Sequence, residues 1–192
     1  MKGDFTRDTF DVFRHFSRVL MQQGRVQLDA DFNEQAAILL HYLRTLATDL
    51  IGPYGGPEGD NLGFKILFGS GDDGNFTISK GRYYVDGILC ENDMEDLNYL
   101  DQEYLRDLPS EEKNRRLPAS SKTYYAYLDV WERHITHVQI DGIREVALGG
   151  PDTCSRAQVI WQVKLKEVES GKNCSDAMTW VKNLPKLSNA KM

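Results

Sequence analysis

The sequence predicts an α+β fold: an extended N-terminal arm, one long amphipathic helix, then a mostly antiparallel β-sheet or small sandwich. Three observations carry this. Aromatic residues punctuate positions 1–28 without a helical period. Apolar residues then recur at steps of three and four across positions 32–50. From residue 63 onward the period changes to two, with an Asp-Gly pair at 86–87.

The arm holds Phe5, Phe10, Val12, Phe13 and Phe16, followed by residues 18–28, in which Gly24 separates two short apolar runs. Such spacing suits aromatic anchors along a segment that lies on another surface. It equally suits an N-terminal strand or short helix packed on its own domain. The helix follows. Asp31-Phe32-Asn33-Glu34 has the Asp-x-x-Glu form of a capping box, in which the Asp accepts from an orphan backbone N–H and the Glu reaches back. Phe32, Ala36, Leu39, Leu40, Leu43, Leu46, Ala47 and Leu50 draw a stripe down it, and Ile38 and Tyr42 widen the apolar face. Gly52-Pro53 stops it, giving a helix of about 20 residues, or roughly 30 Å. A long, broad apolar helix beside a small β-domain fits an oligomerisation element or packing on its own sheet.

Residues 54–60 are a turn-rich linker. Strands are expected at 63–68 and 75–79, joined by a tight glycine-rich loop over 69–74. Residues 81–92 read as a hairpin, because Asp86-Gly87 supplies the two positive-φ residues of a tight turn. Residues 93–122 are polar, with a short helix at 101–108 and a charged loop at 111–121. Residues 124–131 carry apolar side chains on both faces, which predicts a central, buried strand. Residues 135–140 continue or pair with it, and Asp141-Gly142 turns the chain. Residues 158–165 alternate, with Val159, Trp161, Val163 and Leu165 facing one way. The count is six or seven strands. From Ser170 the chain is polar and shows no closing element, as expected of the front part of a longer protein or of a frayed end. The domain organisation is therefore a docking and oligomerisation segment at 1–53, a β-rich domain at 54–168, and a polar segment at 169–192.

The length of 192 residues suits one domain, or one plus an embellishment, able to hide roughly 70% of its unfolded surface. A net charge of −6 and a pI near 5.2 leave no basic surface to displace counterions, so nucleic acid is not an expected partner. Arg115-Arg116 stands among acids and reads as a solvated, mixed-charge stretch. The N-terminus lacks an apolar signal-peptide core and no apolar run spans a bilayer, so cytoplasmic synthesis without membrane insertion is expected. Cys90, Cys154 and Cys174 match no zinc or redox spacing and read as buried or idle thiols.

Candidate chemical sites each have a simpler explanation. Asp29, Asp31 and Glu34 could hold a divalent cation, but capping and the helix dipole account for them. Asp72, Asp73 and Asn75 sit in a hairpin loop that lacks the carboxylate pattern of a calcium site. His134 and His137, three apart on a strand, point to opposite faces; His15 and His41 lack evident partners. Gly149-Gly150-Pro151 lacks the Gly-Lys-Ser/Thr of a phosphate loop, and no nucleophile elbow is present. The acids Glu91, Asp93, Glu95 and Asp96 stand in a polar run. No catalytic residue, metal site or cofactor is expected.

Three stretches carry a resemblance: residues 1–10; residues 18–35, ending Asp31-Phe32-Asn33-Glu34-Gln35; and Trp131-Glu132-Arg133-His134 leading to residues 144–153. Together, over residues 1 to about 168, they resemble a bacterial domain family of unknown function associated with phage-tail-like contractile injection systems. The pattern of Asn-Glu-Gln at a helix start, then Gly-Arg-x-Tyr-Val-Asp-Gly, also resembles the front of some phage baseplate and tail-fibre proteins. Phe32 stands where the pattern has Trp. The resemblance implies a baseplate-peripheral, cage or fibre-attachment subunit of a phage-like particle. Its partners would be other particle subunits, with a homo-oligomer in the assembly. Assembly contacts are expected from Phe5, Phe10, Phe16, Leu20, Met21, Leu28 and Phe32. The alternatives are a surface- or glycan-binding module, which needs solvent-facing Trp131, Trp161 and Trp180, and a cell-wall hydrolase, which needs two carboxylates in one cleft.

Overall fold

The computed structural model describes residues 5–68, 75–106, 108–114, 117–119, 122–171, 173, 176, 177, 179 and 180. The tight loop with Asp72 and Asp73, the Arg115-Arg116 pair, Cys174 and residues 181–192 lie outside them. The fold is α+β, with one long helix followed by antiparallel strands.

The arm, residues 5–28, is extended apart from one 3-10 turn at Val12–Arg14. Helix α1 then spans Asp29–Ile51, 23 residues or about 35 Å. It starts two residues before the predicted cap. Leu28 is the N-cap, and Asp31 sits in the first turn, where its Oδ2 accepts from the Leu28 N–H at 3.2 Å. Glu34 is left free to accept from the Thr9 hydroxyl of the arm. Gly52, at φ 95°, ends the helix and donates its N–H to the Thr48 carbonyl at 2.8 Å.

Three small antiparallel sheets follow. Strands β1 (Tyr54–Gly55), β4 (Gly81–Val85) and β5 (Ile88–Asn92) form one, in the order β1-β4-β5. Strands β2 (Ile66–Phe68), β3 (Phe76–Ile78) and β6 (Leu97–Asn98) form the second, in the order β2-β3-β6. The β4–β5 hairpin turns at Asp86 (φ 47°) and Gly87 (φ 74°), as the Asp-Gly pair predicts. Between the sheets run two short helices, α2 (Glu103–Arg106) and α3 (Ser110–Asn114); the second lies where the sequence reading has a charged loop.

Strands β7 (Thr123–Ile135) and β8 (Arg156–Val168) pair with each other, in register from Thr123↔Val168 to Ile135↔Arg156, and with no other strand among the described residues. This corrects the expectation of a central, buried strand at 124–131: β7 is half-buried in a two-stranded ribbon. Its apolar residues on both faces have separate covers. Leu128 packs on the main core. Tyr127 and Trp131, on the other face, meet Trp180 and Tyr104 at 5.1 and 5.2 Å between ring centres.

The core is Phe76, Ile78, Leu97, Tyr99, Leu105 and Val163, with Phe64, Leu128, Trp161 and Leu165 packed around it. Phe76 and Tyr99 stack at 4.6 Å. Buried amides tie the sheets together. The Gln102 Oε1 accepts from the Val163 N–H at 2.7 Å while its Nε2 donates to the Tyr99 carbonyl at 2.8 Å. The Asn92 Nδ2 donates to the Ile78 and Ser79 carbonyls at 3.3 and 3.1 Å. Because a buried amide left unpaired is costly, these contacts fix one arrangement of the three sheets. No helix among the described residues is long and apolar enough to cross a membrane.

Candidate functional site

Helix α1 has three faces with three different fates. One lies on the β-domain. The Arg44 guanidinium bonds Glu132 Oε1 of β7 at 2.6 Å, and the backbone of Arg44 rests against Gly87 at the hairpin turn, where a Cβ would overlap the Arg44 carbonyl. The arm covers the second face. Thr9 donates to Glu34, the Phe10 ring sits 5.6 Å from His41, and the Val19 N–H donates to Gln35 Oε1 at 2.8 Å. Ile38, 0% exposed, falls on the helix between Glu34 and His41. The arm is thus held to its own helix by polar side chains and one ring contact.

The third face is open. Phe32, Leu39, Leu40, Tyr42, Leu43, Leu46 and Leu50 are exposed, Leu50 to 77%. Ala30 and Ile38 alone are buried on α1. At about 100° per residue, Phe32, Ala36, Leu39, Leu43, Leu46 and Leu50 form one straight stripe, on the side away from Arg44 and His41. The stripe read from the sequence therefore does not pack on the chain's own sheet. Exposed arm residues add to it: Phe13 and Val26 at 85% each, with Phe16, Leu20, Met21 and Leu28. So many exposed large apolar side chains on one helix face and its arm are what an interaction site presents.

The seven expected contact residues divide in two. Phe5 and Phe10 meet rings of their own chain, Phe5 the His134 ring edge-on at 5.3 Å, although Phe5 stays 44% exposed, as much as Met21 at 45%. Phe16, Leu20, Met21, Leu28 and Phe32 face outward. Leu39, Leu43, Leu46 and Leu50 join them; the sequence reading places their stripe in the docking and oligomerisation segment but does not name them among the seven contact residues. Their signal was the stripe itself; what it lacked was the position of the sheet.

Phe5 also lines a half-open cleft of about 450 Å³ with Arg7, Asn33, His134 and Arg156. Among the described residues the buried His134 Nε2 has no hydrogen-bond partner. His137, beyond the strand end, instead places its Nδ1 2.7 Å from Asp152 Oδ2, so the two histidines have different neighbours. His41, which lacked an evident partner in the sequence, meets both Phe10 and Tyr42. The amides of Gly149 and Gly150 donate to the Val146 and Glu145 carbonyls at 3.1 and 2.9 Å, so they are spent within their own turn.

The thiols differ. Cys90 is buried, and burial pushes its pKa up to about 12. Cys154 is exposed, and the hydrogen bond from Arg156 Nη1, 2.7 Å from its sulfur, draws its pKa below the ordinary thiol value, with Thr153 assisting. The aromatic rings that a glycan platform would need are engaged. The Trp161 Nε1 donates to the Glu91 carbonyl at 2.7 Å and its ring meets Phe64 at 4.8 Å, while Trp131 lies between Tyr104 and the Lys164 ammonium.

Residues 1–185 match the model of a family described as a family of unknown function, DUF6519. No curated protein and no solved structure matches the chain.

Proposed function

The chain belongs to this family of unknown function, and we propose that it is a non-catalytic structural subunit that docks into a larger assembly through its N-terminal arm and the open face of α1. The observation that carries the reading is the exposure of large apolar side chains both on the arm, at Leu20 and Met21, and along α1 from Phe32 to Leu50. Each large apolar side chain that becomes fully buried contributes roughly 1.5–3 kcal/mol, so a handful of them supplies a stable contact. The polar hold between arm and helix favours the same reading. It presents Phe16, Leu20 and Met21 outward on a fixed support, and pre-ordering lowers the entropy cost of binding.

The assembly we propose is a phage-tail-like contractile injection particle, with the chain as a baseplate-peripheral, cage or fibre-attachment component. The resemblance of residues 1–10, 18–35 and 131–153 supports this finer statement. The test is incorporation into particles purified from producing cells. Deletion of residues 1–28 abolishes it. So does the milder pair Leu20→Glu and Met21→Glu, whose exposed positions leave folding intact. Unchanged incorporation of the folded pair variant defeats the proposal. A glycan-binding role predicts instead that Trp131 and Trp161 variants lose surface binding while incorporation persists.

A further inference from the structure

The geometry points to a second copy of this chain as the occupant of the open face of α1, packed antiparallel as a two-helix coiled coil. This rests on the docking reading and names its partner. Phe32, Ala36, Leu39, Leu43, Leu46 and Leu50 follow one another at steps of four, three, four, three and four. The alternation of four and three is the heptad form of a seam that can face a partner helix, and its mean over the five steps is 3.6, the period of an amphipathic helix. A helix that lies on its own sheet shows the same period with the in-phase residues buried; here the in-phase residues are the exposed ones.

The flanks of the seam favour self-pairing. They are Asn33, Gln35, Leu40, Tyr42, Ala47 and Asp49, of which only Asp49 is charged. Charged flanking positions are what select a different partner or repel a like one. Their scarcity leaves two identical seams free to meet, and the apolar Leu40 and Tyr42 widen the contact.

The ends of the seam set the direction. Asp29 is in phase with it, three residues before Phe32. A parallel pair would set the two Asp29 carboxylates against each other at the axis and Ala36 against Ala36. An antiparallel pair centred on residue 41 sets Phe32 against Leu50, Leu39 against Leu43, and Ala36 against Leu46, a small side chain against a large one. Phe32, Leu39, Leu40, Tyr42, Leu43, Leu46 and Leu50 each keep 47–77% of their surface exposed, and a standard stable interface takes about 800 Å² from each partner. The β-domain meets α1 through Arg44, on the side away from the seam, while the arm borders one flank of the seam, where the Val19 N–H donates to Gln35.

The test is sedimentation velocity of the full chain across a micromolar concentration series. The unaltered chain sediments as a dimer. Leu39→Glu and Leu43→Lys each weaken association more than tenfold while keeping the unfolding transition of the parent. Mixing these two variants restores a dimer, because residue 39 faces residue 43 of the other copy. Mixing Leu39→Glu with Leu39→Lys does not. The inference is overturned by a monomeric parent, by single variants that dimerise like the parent, or by recovery in the second mixture instead of the first. A monomeric parent whose arm variants still fail to enter particles sinks this inference and leaves docking standing. A dimer whose arm variants incorporate fully does the reverse.

Discussion

If the open face of α1 serves binding rather than folding, its leucines can be removed at little cost to the isolated chain. Leu43 and Leu46 keep 62% and 56% of their surface exposed. Full burial of a leucine is worth roughly 1.5–3 kcal/mol, so the part already withdrawn from water is worth about 1 kcal/mol at each site. Leu43→Ala and Leu46→Ala should each cost about 1 kcal/mol or less. Leu105, 1% exposed and in the main core, is the contrast: Leu105→Ala should cost about 2–5 kcal/mol, because it leaves a cavity as well as losing transfer energy. The assay is urea unfolding followed by tryptophan fluorescence, in solution dilute enough to exclude association. A loss of about 3 kcal/mol or more for Leu43→Ala would show the stripe packed inside its own fold and refute the argument.

Other expectations follow from single contacts. Gly87→Ala combines a positive φ with an overlap against the Arg44 carbonyl; it should destabilise by about 2 kcal/mol or more and loosen α1, read as faster amide exchange in the helix. Asp31→Ala removes the acceptor for the Leu28 N–H and should cost about 1 kcal/mol in thermal or urea unfolding. In the folded chain Cys154 should react with iodoacetamide and Cys90 should not, and Arg156→Gln should move the pH of half-maximal Cys154 labelling upward. The raised Cys90 pKa has a pH consequence. The unfolded thiol ionises near 9 and the folded one near 12, so its contribution is intact below pH 9 and is lost as the pH climbs toward 12. A Cys90→Ala variant should lose that alkaline slope.

What could be read from the sequence was what short-range chemistry fixes. Asp86-Gly87 admits little but a hairpin turn, and Gly52-Pro53 ends a helix wherever it stands. The helix start was ambiguous, because Asp31 can serve as cap or as the residue that reaches back to the cap, and only the Thr9 contact shows Glu34 to be employed elsewhere. Strand β7 misled for a tertiary reason. Apolar residues on both faces suit a central strand, but they also suit a ribbon covered by a core on one side and by Tyr104 and Trp180 on the other. The same limit applied to α1. Periodicity locates an apolar stripe, but whether that stripe meets the chain's own sheet depends on where the Arg44–Glu132 ion pair and the Gly87 contact hold the helix. Within the arm, Phe5 and Phe10 cannot be told from Phe16 by spacing; the first two find His134 and His41.

The most direct measurement is hydroxyl-radical labelling of the chain in dilute solution and within the particle fraction of producing cells, read residue by residue by mass spectrometry. Loss of labelling on assembly at Leu20, Met21, Leu43 and Leu50, with labelling retained at the exposed Val138 and Val146 of the β-domain, is the predicted result. Equal labelling of the arm and α1 in both states would contradict it.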